Sequence, residues 1–367
     1  MDAPGLLFTL AAFGFAIGLL LFVHEWGHYF VARLLGVRAE TFSVGMGPEV
    51  FGWTDKRGTR WRLSALPLGG YVKFFGDMGP ASRPDPETLA TMSPEERASA
   101  FHLQPLWRRA AIIAAGPAIN LVFAVLLFAA LFVSVGRAVT PPVVPDVLDG
   151  SPAAEAGLLP GDRIVRAAGQ PIDSFEGLIQ EIRLRANVPL DLTVQREGRQ
   201  LDMTIVPEAI EAEDRFGNRY TFGRIGVPVP QTRETERYGP FGALAAAVEQ
   251  TGRTVRLMAE GLRQIILGIR SLDDLGGPVK IAKLSGEQAF LGAATFVTFL
   301  AVISINLGLV NLLPIPILDG GHLLFYAIEA LKGAPLSERV QEWGYAAGLA
   351  MVLGLMLLLT LNDLMSL

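Results

Sequence analysis

Residues 3–28 read APGLLFTLAAFGFAIGLLLFVHEWGH, an apolar run that closes on two histidines and a glutamate. Ala3 to Val23 carries no charge and is long enough to cross a bilayer, which takes about 20 residues of helix. His24 and His28 are four positions apart, so on a helix both imidazoles share a face and can bind one metal ion. Glu25 is rotated by about 100° from His24 and can address a metal-bound water as a general base. Five-residue matches of this kind arise by chance in soluble helices. Here the pattern ends an apolar span, where ionisable groups are costly and usually functional. The plain alternative is a polar helix end that has reached the interface.

Three further stretches are apolar enough to span: one between Arg109 and Arg137, one from Gln288 to Leu318, and one from Gly344 to Asn362. The third is too long for one straight crossing, and Asn306, Asn311, Pro314 and Pro316 predict a broken far end. Asp2 replaces the basic start of a secretory signal and no small-residue cleavage site follows, so a cleaved leader is not expected. Of the 367 residues 51% are hydrophobic and 18% charged, below the roughly 25% charged of soluble domains. A net charge of -5 gives no sign of nucleic-acid binding. With no cysteine, disulfides, iron–sulfur clusters and thiolate metal sites are excluded, and any metal must take nitrogen and oxygen ligands.

Basic residues near the span ends set the orientation. Arg33, Arg38, Arg108 and Arg109 place the first loop in the cytoplasm, and Lys332 and Arg339 put the last short loop on the same side. Parity then puts the long middle region outside. The first loop, TFSVGMGPEVFGWTDKRGTRWRLSALPLGGYVKF (41–74), alternates around Asp55 to Thr59 like a β-hairpin. In the middle region, SPAAEAGLLPGDRIVRAAGQPI (151–172) reads as a short helix, a Pro-Gly-Asp turn and a strand. LDLTVQREGRQLDMTIV (190–206) reads as two strands joined at Glu197-Gly198. From Gly239 to Arg270 an amphipathic helical stretch follows, with Phe241, Leu244, Val248, Val255, Leu262 and Ile266 along one side. Its Glu249, Arg253, Arg256, Glu260 and Arg263 make a fifth span too costly, at roughly 2.5–3.5 kcal/mol per central charge.

A catalytic zinc usually takes three protein ligands and leaves a fourth position to water. The run Asn311 to His322, NLLPIPILDGGH, offers Asp319 at the cytoplasmic end of the third segment, and His322 three residues later. His102 lies in the polar loop without a partner in sequence and reads as a surface residue.

The HExxH motif at His24–His28 and NLLPIPILDGG (311–321) in a later span together resemble the site-2 protease family of intramembrane metalloproteases. The resemblance extends through LGGYVKF (68–74), AAIIAAGPAIN (110–120) and LGGPVKIAKLSG (275–286), and it is nearest to the bacterial regulator of sigma-E protease branch. It implies that Zn2+ is held by His24, His28 and Asp319 and that Glu25 is the catalytic base. It further implies that Asn311 helps position substrate or the oxyanion. His322 is an alternative ligand on composition alone, but it follows Asp319 by only three residues and reads as a residue beside the metal or at a helix start. Residues 139–208 resemble a PDZ domain of the bacterial protease type. One clear copy fits here, where many enzymes of the branch carry two.

The expected architecture is a polytopic α-helical membrane protein with four transmembrane helices. To these are added a cytoplasmic-side membrane-associated β-hairpin and one extracytoplasmic PDZ-like α+β domain. Its segments are a first transmembrane helix with HEWGH (1–36), hairpin and cytoplasmic loop (37–107), second helix (108–137), PDZ-like domain (138–209), amphipathic region (210–287), third segment (288–335) and fourth helix (336–367). The expected function is intramembrane zinc-dependent proteolysis of single-pass transmembrane proteins in a bacterial inner membrane, anti-sigma factors or remnant signal peptides being the substrates implied. Gly69, Gly70, Tyr71 and Val72 would offer an extended substrate a strand edge. The expected partners are the lipid bilayer, the membrane-protein substrate and a peptide C-terminus at the PDZ-like domain. The rival readings are a membrane-anchored PDZ scaffold with a non-catalytic metal site, which leaves Glu25 without a purpose, and a metal transporter, which the missing internal repeat disfavours.

Overall fold

The computed structural model describes residues 4–77, 91–213, 219–230, 234–267 and 276–365. Residues 78–90 of the expected cytoplasmic loop, Leu275 of the LGGPVK stretch and positions 268–270 of the amphipathic stretch lie outside them. The chain divides into two compact units, residues 1–128 with 278–358, and residues 129–277 with 359–367.

In the first unit, α1 (Leu6–Leu34) is one unbroken helix that carries the whole apolar run and continues through HEWGH. At 1.5 Å per residue its 29 residues span about 44 Å, more than the roughly 30 Å of a bilayer core. Two long strands follow, β1 (Ala39–Thr54) and β2 (Arg60–Phe74). Asp55 shapes the turn between them: its Oδ1 accepts from the backbone N–H of Arg57 (2.8 Å) and Thr59 (3.0 Å), and its Oδ2 from the Trp61 indole (3.0 Å). The hairpin folds back on itself, because Thr41–Val44 pair with Arg60–Leu63 on one side and with Gly70–Lys73 on the other. The stretch around Gly70–Lys73 therefore forms an edge, partnered on one side only among the described residues. Phe42 and Trp61 stack at 4.4 Å and meet Tyr29 of α1 edge-on, which fixes the sheet to the helix.

After a short helix α2 (Pro94–Ser99), α3 (Leu106–Ser134) gives the second long apolar helix. Gly27 of α1 lies so close to α3 that an added Cβ would come within 2.6 Å of Ile119 Cγ2 and would strike the Ala115 carbonyl. Tyr29, Ala32, Phe42, Val72, Phe74, Ile112 and Ile113 form the shared core of α1, the hairpin and α3. His102 is not a free surface residue: its Nε2 lies 2.8 Å from Asp77 Oδ1, and the other oxygen of Asp77 accepts the Phe74 N–H at 3.1 Å, closing the end of β2. The sequence pattern does not reveal this pair because its members stand 25 positions apart.

The second unit opens with β3 (Arg137–Val139), α4 (Pro152–Glu155), β4 (Arg163–Ala167), β5 (Gln170–Pro171) and α5 (Phe175–Arg183). β6 (Leu190–Arg196) and β7 (Arg199–Ile205) follow, joined as the alternation predicts, with Glu197 and Gly198 both at positive φ. The sheet order is β5-β4-β6-β7, over a core that includes Ile164, Phe175, Leu178, Leu192, Val194 and Ile205. β8 (Glu208–Glu213) pairs with β9 (Arg219–Arg224), and β10 (Glu234–Glu236) pairs back with β3. Helix α6 (Pro240–Ile266) is amphipathic, but the buried side is Ala243, Ala246, Ala247, Thr251 and Gln264. Phe241, Leu244, Val248 and Ile266, expected to line one side, are exposed. Polar tethers decide which face packs: Arg253 to Asp173 (2.8 Å), Arg256 to Gln170 (2.6 Å) and Gln264 to the Leu184 carbonyl (2.6 Å).

The chain then returns to the first unit with α7 (Pro278–Phe290), α8 (Ala293–Asn311), α9 (Asp319–Lys332) and α10 (Glu338–Met365). The expected break after Asn311 is present, and residues 312–318 join two helices instead of continuing one. α8 packs on α3 through Gly308, where an added Cβ would sit 3.0 Å from the Pro117 carbonyl, and through a 2.8 Å hydrogen bond from Ser304 to the Asn120 carbonyl. α10 approaches the break at Gly348, where a Cβ would overlap Pro316. Four helices among the described residues, Leu6–Leu34, Leu106–Ser134, Ala293–Asn311 and Arg339–Met365, are long and apolar enough to cross a membrane. The chain is a multi-pass membrane protein.

Candidate metal centre and active site

His24 and His28 leave one side of α1 where it meets α3, and both are buried. Each has one ring nitrogen occupied by α3. His28 Nδ1 lies 2.9 Å from the Ile112 carbonyl, so it is the donor there. The turn above is loosened by Pro117, which has no N–H to give Ile113. His24 Nδ1 lies 3.1 Å from the side-chain amide of Asn120. The two Nε2 atoms thereby face each other at 3.2 Å.

Asp319 completes the cluster from the first residue of α9. Its Oδ2 lies 3.2 Å from His24 Nε2 and its Oδ1 3.5 Å from His28 Nε2. Ligand bonds of about 2.0–2.1 Å at tetrahedral angles put neighbouring donors about 3.3–3.4 Å apart, close to the 3.2 Å that separates His24 Nε2 both from His28 Nε2 and from Asp319 Oδ2. Asp319 Oδ2 is buried with no hydrogen-bond partner among the described residues, as an oxygen reserved for a cation would be. Two imidazoles and a carboxylate are a donor set that suits zinc, and these three groups offer ligand atoms all within 4.8 Å of one another.

Glu25 lines the same cavity, of about 610 Å³, and so do Asn311, His322, Gly69, Gly70, Tyr71 and Val72. Val72 of the hairpin edge lines this cavity beside the Glu25 carboxylate. Gly70 lies against that carboxylate: an added Cβ would be 2.9 Å from Glu25 Cγ and 2.9 Å from the Ser43 carbonyl. Gly69 takes φ +82°, a conformation that favours glycine. Asn311 ends α8. His322 is one turn beyond Asp319, with its Nδ1 3.2 Å from the Tyr345 hydroxyl of α10.

Three contributors to the site have no role assigned from sequence: Gly116 and Asn120, which lie in the AAIIAAGPAIN stretch, and Tyr345, which lies in no motif. An added Cβ at Gly116 would run into His28 Nε2 and come 2.9 Å from His24 Cε1, so the imidazoles lie directly on the α3 backbone. Asn120, polar inside an apolar span, is the one that could have been singled out on cost alone.

A buried His, His, carboxylate cluster with an adjacent glutamate, set at a helix junction of a multi-pass membrane protein, defines a membrane-embedded metallohydrolase. The sequence pattern described as Peptidase family M50 matches residues 12–355, and the chain belongs to that family. It is 46% identical over 361 residues to an Agrobacterium fabrum protein named "Putative zinc metalloprotease Atu1380", covering 98% of this chain and 96% of that one. A Rhizobium meliloti protein of the same description is 45% identical over 359 residues, covering 97% and 96%. The "Metalloprotease MmpA" of Caulobacter vibrioides is 37% identical over 382 residues, covering 98% and 96%. The protein is an intramembrane zinc metalloprotease.

Proposed function

We propose that this protease cuts single-pass transmembrane proteins with Glu25 as general base and His24, His28 and Asp319 as the zinc ligands. The observation that carries this assignment is the convergence of those three ligand groups on one buried point beside Glu25. Zinc, when bound there, makes a water acidic enough to ionise near neutral pH and polarises the scissile carbonyl. Glu25 takes the proton from the attacking water and delivers it to the leaving amine nitrogen.

A substrate helix hides its carbonyls in its own hydrogen bonds and has to be unwound before it can be cut. The edge at Gly69–Val72 supplies replacement partners, pairing with the extended peptide as an added strand. Asn311 lines the same cavity and has amide donors to hold the substrate carbonyl. His322 supports the carboxylate side of the site from the next turn of α9. On the distribution of Arg and Lys, the site faces the cytoplasm and residues 139–208 lie outside as a PDZ-like domain that reads a peptide C-terminus or guards access. An anti-sigma factor or a remnant signal peptide in a bacterial inner membrane fits this reading, in line with the sigma-E protease branch.

The test is cleavage of a single-pass substrate in detergent by wild type and by Glu25→Gln, with zinc measured in both. The expected result is zinc at equal stoichiometry and a loss of at least about 10²-fold in rate, the lower bound for a general base. Cleavage by the variant at the wild-type rate would remove Glu25 from the mechanism.

A further inference from the structure

Asn120 lies wholly buried on α3, 96 positions from His24 in sequence, with its amide against His24 Nδ1. His28 Nδ1 has a main-chain carbonyl as its partner, which can only accept, so its proton is fixed on Nδ1 and Nε2 is left for a metal. His24 has an amide instead, which presents an oxygen acceptor or a nitrogen donor depending on which way it is turned. With the nitrogen toward the ring, Asn120 Oδ1 is buried without a hydrogen-bond partner. Turned over, the oxygen accepts from Nδ1–H, and the ring then offers its lone pair at Nε2, on the side of His28 and Asp319.

We propose that Asn120 is a positioning residue that selects the Nδ1–H tautomer of His24 and fixes its ring plane, and so sets the zinc affinity of the site. The inference rests on His24 being a zinc ligand. A neutral amide does this without placing a second carboxylate in an apolar helix junction. The backbone of Asn120 is held separately, since its carbonyl accepts from Ser304 on α8 at 2.8 Å. Side-chain and main-chain functions can thus be tested apart.

The experiment measures zinc affinity of the full-length protein in detergent by competition with a chelator. Asn120→Leu, similar in shape but without an acceptor, is expected to bind zinc about 10–100-fold more weakly. Asn120→Asp, which keeps an oxygen at the same place, is expected to bind as tightly as wild type or tighter. Ser304→Ala, which alters only the main-chain tether, is expected to bind as wild type. His24→Ala serves as the reference for a lost ligand. Wild-type affinity in Asn120→Leu, beside loss in His24→Ala, overturns the role of Asn120 and leaves the ligand assignment standing. Wild-type affinity in His24→Ala overturns both. If Asn120→Leu does not fold, Asn120→Asp decides: affinity at or above wild type supports the acceptor role, and weakened binding refutes it.

Discussion

Gly116 carries no functional group, yet the position of both imidazoles depends on it. Any side chain there occupies the space of His28 Nε2 and crowds His24 Cε1. Gly116→Ala is therefore expected to push the rings off the ligand point, with zinc affinity falling on the order of 10–100-fold. Metal titration checks this, and the helix content should remain near wild type because alanine favours helix. The same scale shows where reading the sequence ran out. The spacing of His24 and His28 states directly that two imidazoles share a face, because helical periodicity is local. The approach of Gly116, Asn120 and Asp319 is a fact of helix packing, and no periodicity records which helix lies against which. The Asp77–His102 pair was invisible for the same reason.

Among the elements, the folded hairpin matters most for the proposed chemistry, because its edge lies against Glu25, the proposed base. Val72 lines the cavity beside Glu25, and Gly70 leaves room for the same carboxylate. Val72→Pro removes a backbone N–H from the edge and interrupts it. Cleavage is expected to fall more than tenfold in a detergent assay while zinc content stays at the wild-type level; unchanged cleavage would exclude this edge as the docking strand. The alternation in residues 41–74 was enough to expect a hairpin. It was not enough to show Thr41–Val44 flanked on both sides, since each half of the loop satisfies a simple two-strand pattern equally well. Helix α6 gives the opposite lesson. Its apolar side was legible and is exposed, while the alanine side is the buried one; the arginine and glutamine tethers carry no periodicity that forecasts their partners. In the second unit, Arg196 donates to both oxygens of Asp162 at 2.7 Å and holds its carboxyl below the usual carboxylate range. A depressed folded-state pKa adds stability that is present above the unfolded value of about 3.9. That stability is lost as pH falls through the folded value. The protection of amides in residues 158–164, relative to the intrinsic exchange rate at each pH, is expected to fall on acidification below about pH 4, and in Asp162→Asn to be reduced already at neutral pH.

For the whole molecule, the proposed division of labour places substrate selection in residues 139–208 and hydrolysis in the first unit. Deleting 139–208 separates two forms of that proposal, read by cleavage of trimmed and untrimmed substrates in cells. A guarding domain gives early cleavage of the untrimmed form, and a recruiting domain gives loss of cleavage of both. Unchanged cleavage of both leaves the segment without a part in selection. The number of long apolar helices was plain from the sequence, because burial in lipid demands uninterrupted apolar runs; the arrangement of those helices was not. One feature of that arrangement reaches into the life of the protein in the cell. The proposed base and two of the three proposed ligand groups sit in the first helix, and the third begins α9, near the other end of the chain. A ribosome delivers the former long before the latter, so a half-made chain holds a glutamate and two imidazoles with no carboxylate to complete the cluster. On the proposed assignment, the metal site is assembled only after most of the polypeptide has been made, and synthesis itself sets when the enzyme can first act.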